Sequence, residues 1–544
     1  MKNRHQIFTT TLLALGCLAF GALAPLTQAV APAPDGGYAG GNTAVGTNAM
    51  LSLTGGIYNT GIGLYSLLSV TDGKFNTGVG AATLLANTAD SNTATGTGAL
   101  LSNTTGASNT ANGTFALFFN TEGGFNTAVG DVALLDNTTG AFNSAFGQGA
   151  LGSNTIANHN TAVGAGALFT NTEGSDNTAV GYQALNDNTL GAQNTATGYQ
   201  ALFSNTEGNL NTATGYQALA INSTGANNTA SGFQALFFND TGSNNTASGY
   251  QALSHNTVAD YNVANGFQAL FTNTTGTGNV ATGPGALFNN IDGSGNTATG
   301  ANFVLYSNTH GGGNTATGSF TLANNIDGNF NTADGWAALS NNVHGSSNTA
   351  LGWNAGQNVT TASNVICIGK DVLGANVDNS CYIGNIIGTT IDPGTAAAVG
   401  IDATGKLGTV ASSRRFKRDI EPMGKSSEAI LALKPVTFHY KSDAKNTPCF
   451  GLVAEDAAKV NPDLVVRDKN GGIYSVRYDA VNAMLLNEFL KEHQAFVEEQ
   501  HKVQKLETTV ASLIATVKEQ ATQLQKVSAQ IEVNSAGPQL VKAP

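Results

Sequence analysis

The chain has 544 residues, of which only 11% are charged and 67 are glycine, with a net charge of −12. Such a composition does not fit an ordinary globular enzyme. Lys74 is the only Lys or Arg between positions 36 and 358, and no Arg lies between Arg4 and Arg414, so nucleic acid would find no basic track to follow. The Cys and His spacings of a zinc site are absent, as are a GxGxxG opening a helix, a Walker lysine loop and a GxSxG elbow, so no metal and no cofactor is expected.

Residues 1–29 read as a secretory signal: Lys2, Arg4 and His5, an apolar run from Ile7 to Leu26, then Thr27-Gln28-Ala29 as a small-residue cleavage site. Cys17 lies within the apolar run, but in the wrong residue order for a lipoprotein site. No other stretch is apolar over the ~20 residues that a spanning helix needs. The expectation is a secreted or cell-surface protein with no transmembrane segment in its mature form.

From 36 to 358 one motif dominates. NTAxG or a near relative returns nineteen times from Asn42 to Asn348, almost always 17 residues apart, with one interval of 16 and one of 18. So strict a period predicts a mainly β fold led by a β-solenoid, in which each coil buries its apolar face only against its neighbours. The consensus coil NTAxGxxALxxNTxGxx is predicted to hold two short strands and two turns, NTxG marking the second turn. Its Asn, Thr and Gly content argues against helix. Gly at the fifth position of every copy suits positive φ or close backbone approach. Ala or Gly at the third suits a narrow core, and Leu at the ninth is the apolar payload. The first Asn of each coil is expected to lie over the next, its side-chain amide joining a ladder along the rod.

Composition changes after 358. Residues 359–411 carry short β-like runs broken by Gly and by Asp392-Pro393-Gly394, as a connector and cap would. Cys367 and Cys381 lie in these runs, and export would permit a disulfide between them; two free thiols are the alternative.

From Ser412 the residues SSRRFKRDI bring four basic side chains together. A helix over 425–433, a strand in LKPVTFHYK, a strand and helix in CFGLVAEDAAKV, a hairpin around Gly471-Gly472 and a helix from Asp479 describe a small α+β module. That helix runs on over 501–534, where Val503, Leu506, Val510, Leu513, Val517, Leu524, Val527 and Ile531 recur at spacings of three and four, with Gln520 the one polar member. Such a seam predicts a coiled coil and self-association.

SSRRFKRDI, LKPVTFHYK, FGLVAEDAAKVNPDLV and YSVRYDAVNAMLLNEFLKEHQ, in this order over about 412–500, resemble the endosialidase-type intramolecular chaperone, the self-cleaving C-terminal module of phage tail spikes and tail fibres. The solenoid is more loosely similar to the head repeats of trimeric autotransporter adhesins, whose coil is shorter. The chaperone resemblance implies a homotrimer whose C-terminal domain holds three chains together while the fibre folds, then cuts itself off. Family members use the Ser that opens the motif and a Lys five residues on, which selects Ser412 and Lys417 here, with Ala411–Ser412 as the scissile bond. Where the family has an acidic residue after that Ser, this chain has Ser413, a rival nucleophile. A Ser hydroxyl needs a base, and a Lys serves only when burial lowers its pKa; a trimer interface would supply that burial.

Two other readings stand beside a self-cleaving, adhesin-like fibre with a cell-surface, polysaccharide or protein receptor. One is a trimeric rod that does not cleave. The other is an ice- or crystal-surface binder, suggested by in-register Thr-x-Thr at Thr195/Thr197, Thr212/Thr214, Thr297/Thr299 and Thr315/Thr317 but weakened by other residues at the second position in many copies.

Overall fold

The computed structural model describes residues 38–534, apart from 388, 393–396, 403, 404, 410 and 469. The expected leader and Cys17 lie outside them. The chain forms two compact units, dividing between Thr389 and Thr390.

The first unit is a β-solenoid. Twenty-one three-residue strands, from β1 (Thr43–Val45) to β21 (Cys381–Ile383), form one parallel sheet in chain order. Strand partners keep the repeat spacing, as in Thr195↔Thr212. The short and long coils keep the same pairing, Thr77↔Thr93 and Thr297↔Thr315, so the odd residue is absorbed in a turn and the register holds. At about 4.8 Å per strand the stack is roughly 95 Å long. It continues past 358, because Ile366–Ile368 and β21 add two further rungs within the stretch read as connector.

Only one wall of each coil is a strand, which corrects the expected pair. On the other wall consecutive residues Ala116 and Leu117 are both wholly buried, which the two-residue alternation of a strand forbids. The chain achieves it by placing the seventh and ninth residues in the left-handed region, φ 56° at Phe115 and 53° at Leu117. Each such residue costs about 1–3 kcal/mol. Burial of a leucine side chain recovers about 1.5–3 kcal/mol, and the main chain still bonds to the next coil, Leu117 N–H to the Ala133 carbonyl at 3.0 Å.

One core runs from Met50 to Cys367, built from the Ala of the third and eighth positions and the Leu of the ninth. Two columns of buried asparagines flank it. The first Asn of each coil is chiefly a backbone clamp: the Asn194 Oδ1 accepts the Asn211 N–H at 2.9 Å, and its Nδ2 donates to the Gly208 carbonyl at 2.8 Å. The amide-to-amide ladder belongs mainly to the Asn of NTxG, as in Asn205 Nδ2 to Asn188 Oδ1 at 2.8 Å, and that amide also donates to the Gly208 carbonyl. Buried amides of this kind must be bonded, and these are.

The two recurrent glycines have different reasons. At the fifth position Gly198 has φ +135°, and a Cβ there would lie 2.3 Å from the Gly215 carbonyl oxygen. In NTxG the constraint is shared by the ladder and the next coil, a Cβ on Gly208 meeting both Asn205 Oδ1 and the Gly225 carbonyl oxygen at 2.4 Å. Ala takes this place in the short coil (Ala89), after Val359 (Ala362) and in two coils with the full Asn-Thr-x turn, Ala157 and Ala259, and in the last two the ladder records it. The bonds Asn171 to Asn154 and Asn273 to Asn256 stretch to 3.0 and 3.1 Å. The other rungs from Asn103 to Asn342 measure 2.6 to 2.8 Å.

Along the strand wall the second position presents an outward column of Thr from Thr43 to Thr349, interrupted by Ser144, Val263 and Val280. The fourth position mixes Val, Phe, Ser, Asn and Asp with Thr, so the face carries one threonine column rather than a two-column lattice.

The second unit holds a hairpin, β22 (Val399–Ile401) with β23 (Leu407–Thr409), and then the α+β module. A 3-10 helix (Gly424–Ala432), β24 (Val436–Phe438) paired with β25 (Cys449–Gly451), helix α1 (Ala454–Val460), and β26 (Val465–Arg467) paired with β27 (Ile473–Val476) follow in the expected order. Helix α2 (Tyr478–Asn534) ends the described chain. Among the described residues no helix is long and apolar enough to cross a membrane.

Candidate functional site

Ser412 and Lys417 bracket a single 3-10 turn, Arg414–Phe416, closed by the Phe416 N–H on the Ser413 carbonyl at 3.0 Å and the Lys417 N–H on the Arg414 carbonyl at 3.1 Å. That one turn brings residues five apart face to face, and Lys417 Nζ lies 3.0 Å from Ser412 Oγ. Ser413 takes part through its main-chain carbonyl.

The pair has the distance that proton transfer requires. While Lys417 is protonated it can only donate to the hydroxyl; once neutral, the same amine can accept the hydroxyl proton. Within one chain both residues are exposed. The neighbouring cations are partly engaged, Arg415 over the Phe416 ring at 4.6 Å and Arg418 with Asp419 at 3.8 Å.

Behind this turn the module has little interior. Among the described residues of the second unit only Ala457, Leu464, Val465 and Val476 are buried apolar side chains. Phe416, Leu431, Phe450, Tyr474 and Phe489 are all more than 60% exposed. The seam of α2 is bare as well, from Val503 through Leu513 to Ile531.

One buried polar group stands out, and the sequence pattern did not signal it. Ser427, wholly buried, accepts from Asn487 Nδ2 at 2.7 Å and donates to Glu488, while Lys491 Nζ bonds Glu488 at 2.7 Å and reaches Ser427 at 3.3 Å. The Lys491 ammonium, and then the Ser427 hydroxyl, hold the Glu488 carboxyl below its ordinary range. This cluster pins the 3-10 helix that follows the Ser412 turn to the first part of α2. Spacings of one, three and four from Asn487 to Lys491 place the three partners on one helical face.

Cys367 and Cys381 are both free thiols. Their strands pair with Cys367 opposite Tyr382 and Ile366 opposite Cys381, one residue out of phase, so Cys367 is buried in the core and Cys381 is exposed. Burial, then the charge of Cys381, push the Cys367 thiol up to about 11. Among the described residues no group of His, Cys, Asp and Glu could hold a metal ion.

Residues 412–466 match the family model of the chaperone of endosialidase, Peptidase_S74. The match opens on Ser412 and ends within β26, so it shows the resemblance over the first three of the four motifs; the fourth, from Tyr474, lies beyond it. No curated protein and no solved structure matches the chain.

Proposed function

We propose that the chain is an exported homotrimeric fibre or adhesin-like surface protein whose C-terminal module seeds the trimer and then separates from the rod before Ser412. The observation that carries this reading is the 3.0 Å contact between Ser412 and Lys417 on the first residues of the segment that matches the endosialidase chaperone. The bare apolar surface of the module supports the association half: a unit with four buried apolar side chains among its described residues needs other chains to cover it. The rod supplies the need for a chaperone, since many near-identical coils offer nearly degenerate registers and a common end fixes one of them.

In the cleavage step neutral Lys417 takes the Ser412 hydroxyl proton as Oγ attacks the Ala411 carbonyl carbon. The Ala411–Ser412 C–N bond breaks, the proton passes to the departing Ser412 amine, and an ester remains. Water then hydrolyses the ester, leaving an Ala411 carboxylate and a Ser412 hydroxyl. Each chain is its own substrate and turns over once. Lys417 is exposed in the single chain, so its desolvation comes from neighbouring copies, and cleavage follows assembly. The same exposure favours a second reading, a trimerisation foot that stays attached.

Intact mass and native oligomer size of the chain beside Ser412→Ala and Lys417→Ala decide between them. Cleavage before Ser412 in the parent alone, with trimeric rods, is the expected result. Uncut trimers in all three would leave a permanent foot, and uncut monomers would end the fibre reading.

A further inference from the structure

The sixth position of the coil stands just past the fifth-position glycine and points outward. In six consecutive coils it is aromatic, Tyr182, Tyr199, Tyr216, Phe233, Tyr250 and Phe267, and a shorter run of two follows at Trp336 and Trp353. Their rings form one stack with steps of 5.0 to 5.4 Å and interplanar angles of 6° to 17°. The Gln that follows each ring makes a parallel amide ladder, Nε2 to Oε1 at 3.0 to 3.1 Å from Gln183 to Gln268. Coil geometry does not demand a ring here, since the preceding coils carry Thr114, Asp131, Gln148 and Ala165 and the following ones Pro284 and Ala301. The row runs along the rod, one ring per coil.

We infer that this row is the face on which the rods of three copies meet, lying along their common threefold axis. The inference rests on the trimer reading and adds to it the surface and the partner. Each ring is 38–53% exposed. At roughly 200 Å² per aromatic side chain, six of them offer on the order of 500 Å² in one uncharged strip. That is at the upper end of the largest apolar patch of a typical monomer, about 300–600 Å², and approaches the ~800 Å² per partner of a standard interface. Between Tyr182 and Phe267 the ring faces are taken up by the stack, so along the row a sugar ring has no face to lie on. Ring edges remain, and edges pack well against other aromatic groups. Copies held at a shared C-terminal module run parallel, and a row with the coil's own period then meets its counterpart rung for rung. A closed threefold arrangement places one strip from each chain at the axis, where both neighbours cover it.

The test is disulfide trapping in the full chain carrying Cys381→Ser and Cys449→Ser, with one new thiol added. Phe233→Cys and Tyr199→Cys lie on the row, and Glu207→Cys lies on the NTxG turn. After mild oxidation, most of either row variant is expected as covalent dimer on a non-reducing gel, with only a trace from Glu207→Cys. Native mass of the untrapped chain separates the two ways to fail. Trimers in which neither row variant links, or in which Glu207→Cys links as well as they do, overturn the shared face while leaving the trimer intact. Monomers overturn the trimer reading and this inference with it.

Discussion

The rod and the C-terminal module bury their side chains by opposite routes. Every coil of the rod finds its partners in the adjacent coils of the same chain, and a single core runs from Met50 to Cys367, flanked by asparagine columns from Asn42 to Asn348 and from Asn87 to Asn342. The module has aromatic and aliphatic side chains enough to build a core, yet among its described residues it wraps only four apolar ones and leaves the seam of α2 bare. A repeat satisfies itself by stacking, whereas a short α+β unit with a long exposed apolar seam leaves that surface uncovered within one chain. The rod thus coheres within its own chain, whereas the apolar surface of the module is left for other chains to cover on the proposed trimer reading, in which the aromatic row of the rod adds a second contact.

The comparison breaks most completely if the module loses its partners. On the proposed trimer reading, Leu506→Asp together with Leu513→Asp would place six charges in the shared seam; the expected outcome is loss of C-terminal association, seen as monomer mass, with the circular dichroism of the rod unchanged. Persisting trimers would mean that another surface does the work.

Within the rod, Gly198→Val is a severe single change. It forces a β-branched residue into positive φ and a methyl against the Gly215 carbonyl, for a cost of about 4 kcal/mol or more at that junction. New proteolytic cuts near the Asn194 coil would report it. Gly208→Ala sharpens the point, because the Ala157 and Ala259 coils already accept that methyl by stretching one amide bond; about 1 kcal/mol or less is expected. Between them lies Asn205→Ala, which removes a buried amide and leaves the Asn188 Oδ1 without its donor, for about 2 kcal/mol by thermal melting.

The smallest effect is in the module. Glu488 titrates below the ordinary glutamate value of 4.5, so its contribution is fully present above that pH and is lost as pH falls through the lower folded value. Amide exchange in the helix Gly424–Ala432 should therefore quicken only below about pH 4.5, and Glu488→Gln should flatten the dependence.

The strand wall, its register and the turn glycines were legible because the same environment recurs nineteen times. The leucine wall was not. Nothing in a Leu or a Phe announces a left-handed backbone, and the sign that a strand could not lie there, two adjacent inward side chains, is visible in Ala116-Leu117 only once both are known to be buried. The ladder was expected on the first Asn and lies mainly on the second, since spacing alone does not say which amide faces along the axis and which faces a carbonyl. In the module the order of the secondary elements followed from local pattern, although the strand read in LKPVTFHYK spans only Val436–Phe438 and the helix over 425–433 is 3-10. Ser412 and Lys417 came from family resemblance, and their contact needed only the one turn between them. Ser427 was invisible because its partners lie 60 or more residues away.

The tolerance of the stack for coils one residue shorter or longer than the rest has a genetic consequence. Near-identical tandem stretches invite unequal recombination, and any exchange that gains or loses whole copies in frame lengthens or shortens the reach by about 4.8 Å per copy while both ends stay as they were. Lineages carrying this gene can therefore differ in how far the protein extends from its origin without any new fold having to arise, and length becomes a trait that drifts and is selected on its own.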